Sequence, residues 1–210
     1  MPRTGERGGP RTRARIREVA NRLFLEHGYD AVTVAEVARE AGVSSVTVFN
    51  HFPRKEDLFL DRTEDAIELL RAAVRNRTPG VDVLTALRDQ SLRLFDARHP
   101  LSGVDPRSAP FFRTVAASPT LVARAREIAS ELQQTLAVEL ARDPAFEGDG
   151  PLLAALFIAG YSWVLVETAG RVMAGEPPAA VTDDHRARLE RLFDALRSGV
   201  AADPGARQGD

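Results

Sequence analysis

Cysteine is absent from the 210-residue sequence. Disulfide bonds and cysteine-ligated metal sites are therefore excluded, and a chain without cysteine suits the reducing cytoplasm. Residues 1–13 include several arginines, but no apolar stretch follows them, so this segment does not resemble a secretory signal. We expect a cytoplasmic protein.

Long apolar runs are also lacking. The uncharged segment 152–166 spans 15 residues, fewer than the roughly 20 that a membrane-spanning helix needs. Glu167 and Arg171 follow it closely. We expect a buried helix of a soluble protein and no membrane partner.

The sequence contains no recognisable catalytic or metal-binding motif. The four histidines, His27, His51, His99 and His185, lack metal-ligand spacing. The segment 160–164 lacks the second glycine of a nucleophile elbow, and the N-terminal glycines match neither a dinucleotide-binding nor a phosphate-loop fingerprint. An enzyme is a rival interpretation without a supporting motif, and we expect no metal and no cofactor.

The formal net charge is only −2, but the charges are unevenly distributed. Residues 1–55 hold ten Lys and Arg against six Asp and Glu, whereas the remainder holds 18 against 24. A basic first quarter on an acidic body is the asymmetry expected when one end of a protein contacts phosphates.

Helical patterns fill most of the first 80 residues, and beyond residue 80 no run alternates apolar and polar residues as a strand does. The sequence predicts an all-α fold of about nine helices, at 12–26, 33–41, 45–52, 55–77, 81–97, 107–117, 119–142, 151–174 and 183–200. We expect a disordered basic arm at 1–11, a helix-turn-helix domain at 12–58, a helical ligand-binding and dimerisation domain at 59–201 and a flexible tail at 202–210.

Two short helices joined by a tight turn are predicted after the first helix. Thr33-Val-Ala-Glu36 is a capping box. Gly42 breaks this helix, and Ser44 is a natural N-cap for the next one, which Pro53 ends. Because an amphipathic helix precedes the pair, the pattern predicts a three-helix unit that contains a helix-turn-helix.

The third helix has an unusual outward face. Val48, Phe49 and Phe52 are spaced to pack inward, and no long charged side chain is left outside. Short polar groups can approach base edges in the major groove, asparagine can pair with adenine, and valine can contact a thymine methyl group. The outward residues are Ser45, Val46, Thr47, Asn50 and His51. A solvated helix in a generic bundle is the alternative.

Three stretches carry a family resemblance: 13–29, 33–44, and Val48-Phe-Asn-His-Phe-Pro-Arg-Lys55 with the three residues that follow. In order and without gaps, they resemble the N-terminal domain of tetracycline-repressor-like (TetR) regulators over about residues 12–60. The remainder resembles the family only in size and in its helical pattern. The resemblance implies a DNA-binding transcription regulator, most commonly a repressor.

The resemblance also implies roles for matching positions. Thr33 and Ser44 should contact phosphates, aided by the positive ends of helix dipoles, and Lys55, opening the fourth helix, should bind another phosphate. The outward residues of the third helix should contact bases and nearby backbone. Nonspecific affinity or a minor-groove contact is implied for Arg3, Arg7, Arg11 and Arg13.

Two positions depart from the family pattern. Phe49 stands where the family commonly has tyrosine, which removes a hydroxyl that could reach a phosphate. His51 occupies a place that is often tyrosine, so a phosphate contact there would become pH-sensitive.

A dimer is expected because one helix-turn-helix contacts only half of a DNA site. The helix 151–174 is apolar nearly all round and must be covered on both sides. We predict a four-helix bundle across two subunits, as the resemblance also implies. Its predicted residues are Leu156, Gly160, Val164, Leu189, Leu192, Phe193 and Leu196. The alternative is that these helices close only their own subunit's core.

A ligand cavity in the C-terminal body is a further implication of the resemblance. Its candidate lining residues are Phe95, Phe111, Phe112, Leu121, Ile128, Leu132, Tyr161 and Trp163. These residues predict a small hydrophobic or aromatic effector, although an aromatic stripe is more often plain core. A DNA-binding regulator without a small-molecule effector is the other interpretation that the sequence leaves open.

Overall fold

The computed structural model describes residues 9–200. This part of the chain contains nine α-helices and no strand, which confirms the predicted all-α fold. The helices are α1 (Gly9–His27), α2 (Val34–Ala41), α3 (Ser45–His51), α4 (Thr63–Arg75), α5 (Val83–Asp96), α6 (Ala109–Ala117), α7 (Pro119–Ala141), α8 (Gly150–Met173) and α9 (Pro178–Val200). Most of the predicted basic arm and the whole predicted tail lie outside the described residues.

Three helices begin three or more residues away from their predicted starts. The fourth starts at Thr63 and not at 55, because a short 3-10 turn, Glu56–Leu58, precedes it. This turn lets the consecutive residues Leu58 and Phe59 both enter the core. The first helix already includes residues 9–11, and α9 starts at Pro178, a residue type that suits the first helical turn.

The chain forms two compact units. The first contains the described residues up to Arg62 together with Pro110–Ala125, and the second contains Thr63–Ala109 together with the described residues from Arg126 onward. The helix α7 contributes to both units, since its first residues, up to Ala125, belong to the first one.

Phe24 of α1 lies at the centre of the first unit's core and is fully buried. Its ring centroid is 5.1 Å from that of Tyr29 and 5.7 Å from that of Phe59, which meets it edge-on. Leu121 of α7 is also fully buried in this core. The first three helices therefore share one core with residues from the middle of the sequence.

The predicted turn between α2 and α3 is confirmed. Gly42 has φ +67° and ψ +37°, and its N–H bonds to the carbonyls of Ala38 and Arg39. A residue with a β-carbon is strained in this left-handed conformation, which glycine adopts freely. The turn fixes the direction in which α3 leaves α2.

The helices α8 and α9 form an antiparallel pair in the second unit. Phe157 meets Phe193 with ring centroids 5.7 Å apart, whereas Thr168, further along α8, bonds to His185, earlier in α9. A β-carbon added at Gly160 would lie 2.3 Å from Leu192 Cδ1. The small residue therefore serves a close approach within one chain.

By length and composition, α8 is the one described helix that could cross a membrane. Such a helix is weak evidence, because the core helix of a soluble protein passes the same test. Leu153, Phe157 and Val164 on α8 are buried inside the second unit, as expected for a core helix.

His185 is fully buried in the second unit. Its Nδ1 lies 2.7 Å from Thr168 Oγ1, and its ring stacks on Phe95 at 5.3 Å with an interplanar angle of 6°. Burial lowers the pKa of His185 to about 4, against an opposing effect of the Asp184 carboxylate. The folded unit therefore holds this imidazole in its neutral form.

This histidine should make stability pH-dependent. In the unfolded chain its pKa is about 6.5, so between that value and about 4 the unfolded state binds a proton that the folded state does not. Stability should fall as the pH drops through this window, by up to about 1.4 kcal/mol per pH unit. The measurement is urea unfolding at several pH values, compared with His185→Gln, which keeps a hydrogen-bonding group but cannot titrate. Equal pH slopes in the two proteins would contradict the prediction.

Candidate nucleic-acid interface

The outward face of α3 is partly apolar. Val48 and Phe52, one helical turn apart, are each only 1% exposed, whereas Val46 is 68% exposed and Phe49 is 48% exposed. The prediction that Phe49 packs inward is therefore wrong. With positions 48 and 52 directed at the core, residue 49 is rotated by about 100° onto the side of residue 46.

The polar residues predicted to contact DNA lie on or beside this face. Asn50 is exposed, and Ser45, Thr47 and His51 are half-buried. Ser44 caps α3 by accepting a hydrogen bond from the Thr47 amide at 3.0 Å, and the two hydroxyl oxygens are 2.9 Å apart. The cap holds the first turn of α3 in place from the solvent side.

Thr33 caps α2 as the sequence predicts. Its amide and its hydroxyl both donate to Glu36 Oε2, at 2.7 and 2.8 Å, and its Oγ1 accepts from the Glu36 amide at 3.2 Å. The bonds from Thr33 lower the pKa of Glu36, so its carboxylate is charged at neutral pH. A phosphate that approached Thr33 would meet this negative charge.

Lys55 connects two parts of the first unit. Its Nζ donates to the Tyr29 carbonyl oxygen at 2.6 Å and lies 4.1 Å from the centroid of the Tyr29 ring. Burial lowers the pKa of Lys55, partly offset by Asp30 and Glu56. The expectation that Lys55 opens the fourth helix is wrong, since it precedes the 3-10 turn. Its ammonium has two further protons that this bond does not use.

The arginines predicted to support DNA binding divide into two groups. Arg11 and Arg13 lie on α1, and the Arg13 guanidinium stacks 4.4 Å above the Phe52 ring centroid. This contact braces the end of α3. Arg3 and Arg7 lie outside the described residues.

The segment 110–125 holds the helix-turn-helix from outside its own sequence. Ser118 Oγ donates to Asp30 Oδ1 at 3.0 Å, and Arg124 Nε donates to Asp57 Oδ1 at 3.0 Å. Phe111 packs on Phe59 with centroids 4.8 Å apart. The sequence reasoning missed these positioning residues, because nothing in their local pattern indicates a partner about 70 to 90 residues earlier.

The structure separates the predicted ligand-contacting residues into several places. Phe111, Phe112 and Leu121 belong to the first unit. Phe95 and Tyr161 come together around Val164 and Leu189 in the second unit, and Leu132 packs against that unit's larger core. Ile128 is half-buried, and Trp163 is 53% exposed with the Arg188 guanidinium 4.8 Å from its ring centroid. His185 and Thr168, which were not predicted, lie beside Phe95.

The predicted dimer residues divide between the core and the surface. Val164, Leu189, Phe193 and Leu196 are buried within their own unit, and Leu192 is half-buried beside Gly160. Leu156 is 44% exposed. It belongs to a stripe along one side of α8 that is exposed throughout: Leu152, Leu156, Ala159, Trp163, Val166 and Gly170.

Comparison with known proteins identifies the family. Residues 16–61 match the family described as bacterial regulatory proteins, tetR family. The HTH-type transcriptional regulator TcmR of Streptomyces glaucescens is 30% identical over 207 residues, covering 93% of this chain and 88% of TcmR.

Two solved structures share the fold. Thermus thermophilus FadR, a TetR family transcriptional repressor crystallised with lauroyl-CoA, has a TM-score of 0.57 and 23% identity, covering 94% of this chain and all of FadR. The SmeT–triclosan complex has a TM-score of 0.57 and 19% identity, covering 95% of this chain and 98% of SmeT. The chain contains a helix-turn-helix whose α3 exposes one face, and TcmR is related to it over nearly the full length of both chains. The chain therefore belongs to the TetR family of DNA-binding transcriptional regulators.

Proposed function

We propose that this regulator is a cytoplasmic homodimer that represses transcription by occupying a palindromic operator, and that a small hydrophobic or aromatic molecule releases it. The family relatives are transcriptional regulators. Beyond this family assignment, we propose the oligomeric state of the protein, the symmetry of its DNA site and the molecule that controls binding.

The observation that carries the DNA-reading part is the exposed face of α3. A short helix rigidly held by Val48 and Phe52 offers Asn50, Thr47 and His51 to the solvent without a long charged side chain. Asparagine can bind adenine with two hydrogen bonds, and hydroxyls can donate or accept at several base edges. The N-cap Ser44 and the basic Lys55 lie in the same unit and can approach phosphates, whereas the charged Glu36 carboxylate disfavours a phosphate at Thr33.

The exposed stripe of α8 supports the dimer. Its six uncharged residues extend over five helical turns. Four of them are large apolar side chains that are about half exposed or more: Leu152, Leu156, Trp163 and Val166. An apolar stripe of this length is commonly covered by a partner. Two reading units about one helical turn of DNA apart then recognise the two halves of a palindrome.

The interior of the second unit supports an aromatic effector. Phe95, Tyr161 and His185 are clustered there, and the buried Tyr161 hydroxyl and His185 Nε2 have no hydrogen-bond partner in the described part of the chain. FadR was crystallised with lauroyl-CoA, which carries an apolar acyl chain, and SmeT with triclosan, an apolar aromatic compound. A ligand that favours a form unable to bind DNA would need about 10⁴-fold preference to reverse a 99:1 population.

One observation favours the alternative of a regulator without an effector. Two clefts in the described part of the chain have volumes of about 270 and 410 Å³, and the residues predicted to contact a ligand line neither of these two. A packed interior would have to open before a ligand entered. A thermal-shift screen of apolar aromatic compounds, scored for release of bound DNA, separates the two candidates.

Selection of binding sites from random DNA tests the central proposal. We expect a palindromic sequence whose half-sites lie about one helical turn or more apart. Titration of that duplex over a range of salt concentrations should give a steep slope, because several phosphate contacts release counterions. Failure to enrich any sequence would count against a sequence-specific repressor.

Asn50→Ala should reduce both affinity and selectivity. Loss of a bidentate contact with one base costs about 1–3 kcal/mol on the preferred site and relaxes the preference at that position. The measurement is a fluorescence-anisotropy titration with the selected duplex and with its single-base variants. Asn76→Ala, at an exposed asparagine outside the first unit, is the control and should leave binding unchanged. An unaffected Asn50→Ala protein would show that α3 is oriented differently on DNA.

The dimer should depend on the exposed stripe rather than on the buried residues of α9. Leu156→Glu combined with Trp163→Glu should yield a folded monomer, because charges would be buried on association. Light scattering after size exclusion and circular dichroism measure the two properties. Val138→Glu, at an apolar residue of α7 that is likewise 44% exposed, is the matched control. A double variant that stays dimeric would contradict this interface.

A further inference from the structure

Val46 and Phe49 form an exposed apolar surface on the face of α3 that reads DNA. They are three residues apart, so they lie side by side on the helix. Their exposed fractions are 68% and 48%. We call these two side chains the Val46–Phe49 patch.

This patch is not part of the first unit's hydrophobic core. The inward positions of α3 are filled by Val48 and Phe52, and neither Val46 nor Phe49 belongs to the unit's core. Leaving large apolar side chains in water is unfavourable. Because Val46 and Phe49 lie on the DNA-binding face, they are suited to contact an apolar group of the DNA bases.

The major groove offers one apolar group, the C5-methyl group of thymine. The side chains of Val46 and Phe49 contain no polar atom, so neither can recognise a base edge by hydrogen bonding. Asn50 is one turn after Val46 and next to Phe49, on the same exposed face. An A·T pair presents an adenine edge that suits asparagine and, beside it, the thymine methyl group.

We propose that the Val46–Phe49 patch recognises thymine methyl groups, so that each half-site is selected for methyl-bearing A·T pairs next to the base that Asn50 reads. This inference rests on the proposed operator binding and names the chemical group that is read. It places Phe49 among the specificity-determining residues, in contact with a base rather than with a phosphate.

The test removes methyl groups from the DNA and leaves the protein intact. In the duplex obtained by site selection, each thymine of a half-site is replaced in turn by deoxyuridine, which keeps every hydrogen-bonding atom. We expect one or two positions in each half-site where the Kd rises about fourfold, the factor that corresponds to burying one methyl-sized group. Other thymine positions should bind equally well with either base.

Protein variants then assign each methyl group to a side chain. At a sensitive position, Val46→Ala or Phe49→Ala should abolish the difference between thymine and deoxyuridine, as a double-mutant cycle requires for two groups in contact. Phe49→Tyr retains the ring and should retain the difference. Leu25→Ala on α1, where the leucine is 47% exposed, is the matched control and should also retain it.

The possible failures are distinguishable. A protein that selects a defined sequence but is indifferent to every deoxyuridine substitution would overturn this inference and leave operator binding intact. Deoxyuridine effects that persist unchanged in both alanine variants would also overturn it, because another residue would then read the methyl groups. Absence of any selected sequence would instead contradict the proposed function itself.

Discussion

Burial of Phe24 is the constraint on which the DNA-binding unit depends. Its ring contacts Tyr29 and Phe59, and so joins the end of α1 to the loop before α2 and to the 3-10 turn after α3. Lys55 adds a polar bond to the same region through the Tyr29 carbonyl. These contacts fix the chain before α2 and after α3. The orientation of α3 therefore follows from a core to which the helix and its C-terminal cap contribute only Val48 and Phe52.

Segments far apart in sequence complete this unit. The bonds from Ser118 to Asp30 and from Arg124 to Asp57 attach the start of α7 to the loops on either side of α2 and α3. Arg124 and Asp57 are mostly buried, with side chains 11% and 20% exposed. An ion pair screened from water in this way holds its geometry better than an exposed one. The reading helix is thereby positioned by residues that belong to a different stretch of the chain.

Much of the fold could be predicted from the sequence because its signals are local. The capping box at Thr33, the left-handed turn at Gly42 and the cap at Ser44 each involve residues within five positions of one another. Phe49 was misjudged because apolar character was equated with burial, whereas the register of Val48 and Phe52 decides which side faces out. The break after Lys55 and the partners of Ser118 depend on tertiary contacts, which periodicity does not report. The same is true of buried His185, whose neighbours Phe95 and Thr168 come from two other helices, α5 and α8.

The seven residues of α3 also limit how much sequence information one subunit can take up. Such a helix is about 10 Å long, which matches roughly three base-pair steps at about 3.4 Å each. A three-base word recurs by chance about once in 64 positions, whereas a genome offers on the order of 10⁶ or more competing sites. Two words at a fixed separation recur about once in 4,000 positions, so the proposed pairing of subunits would multiply the selectivity without lengthening the helix. The rest of the selectivity needed against these competing sites must come from flanking contacts and from the deformability of the DNA between the half-sites. Because α3 is short, the spacer between the half-sites contributes to operator recognition as much as the contacted bases do.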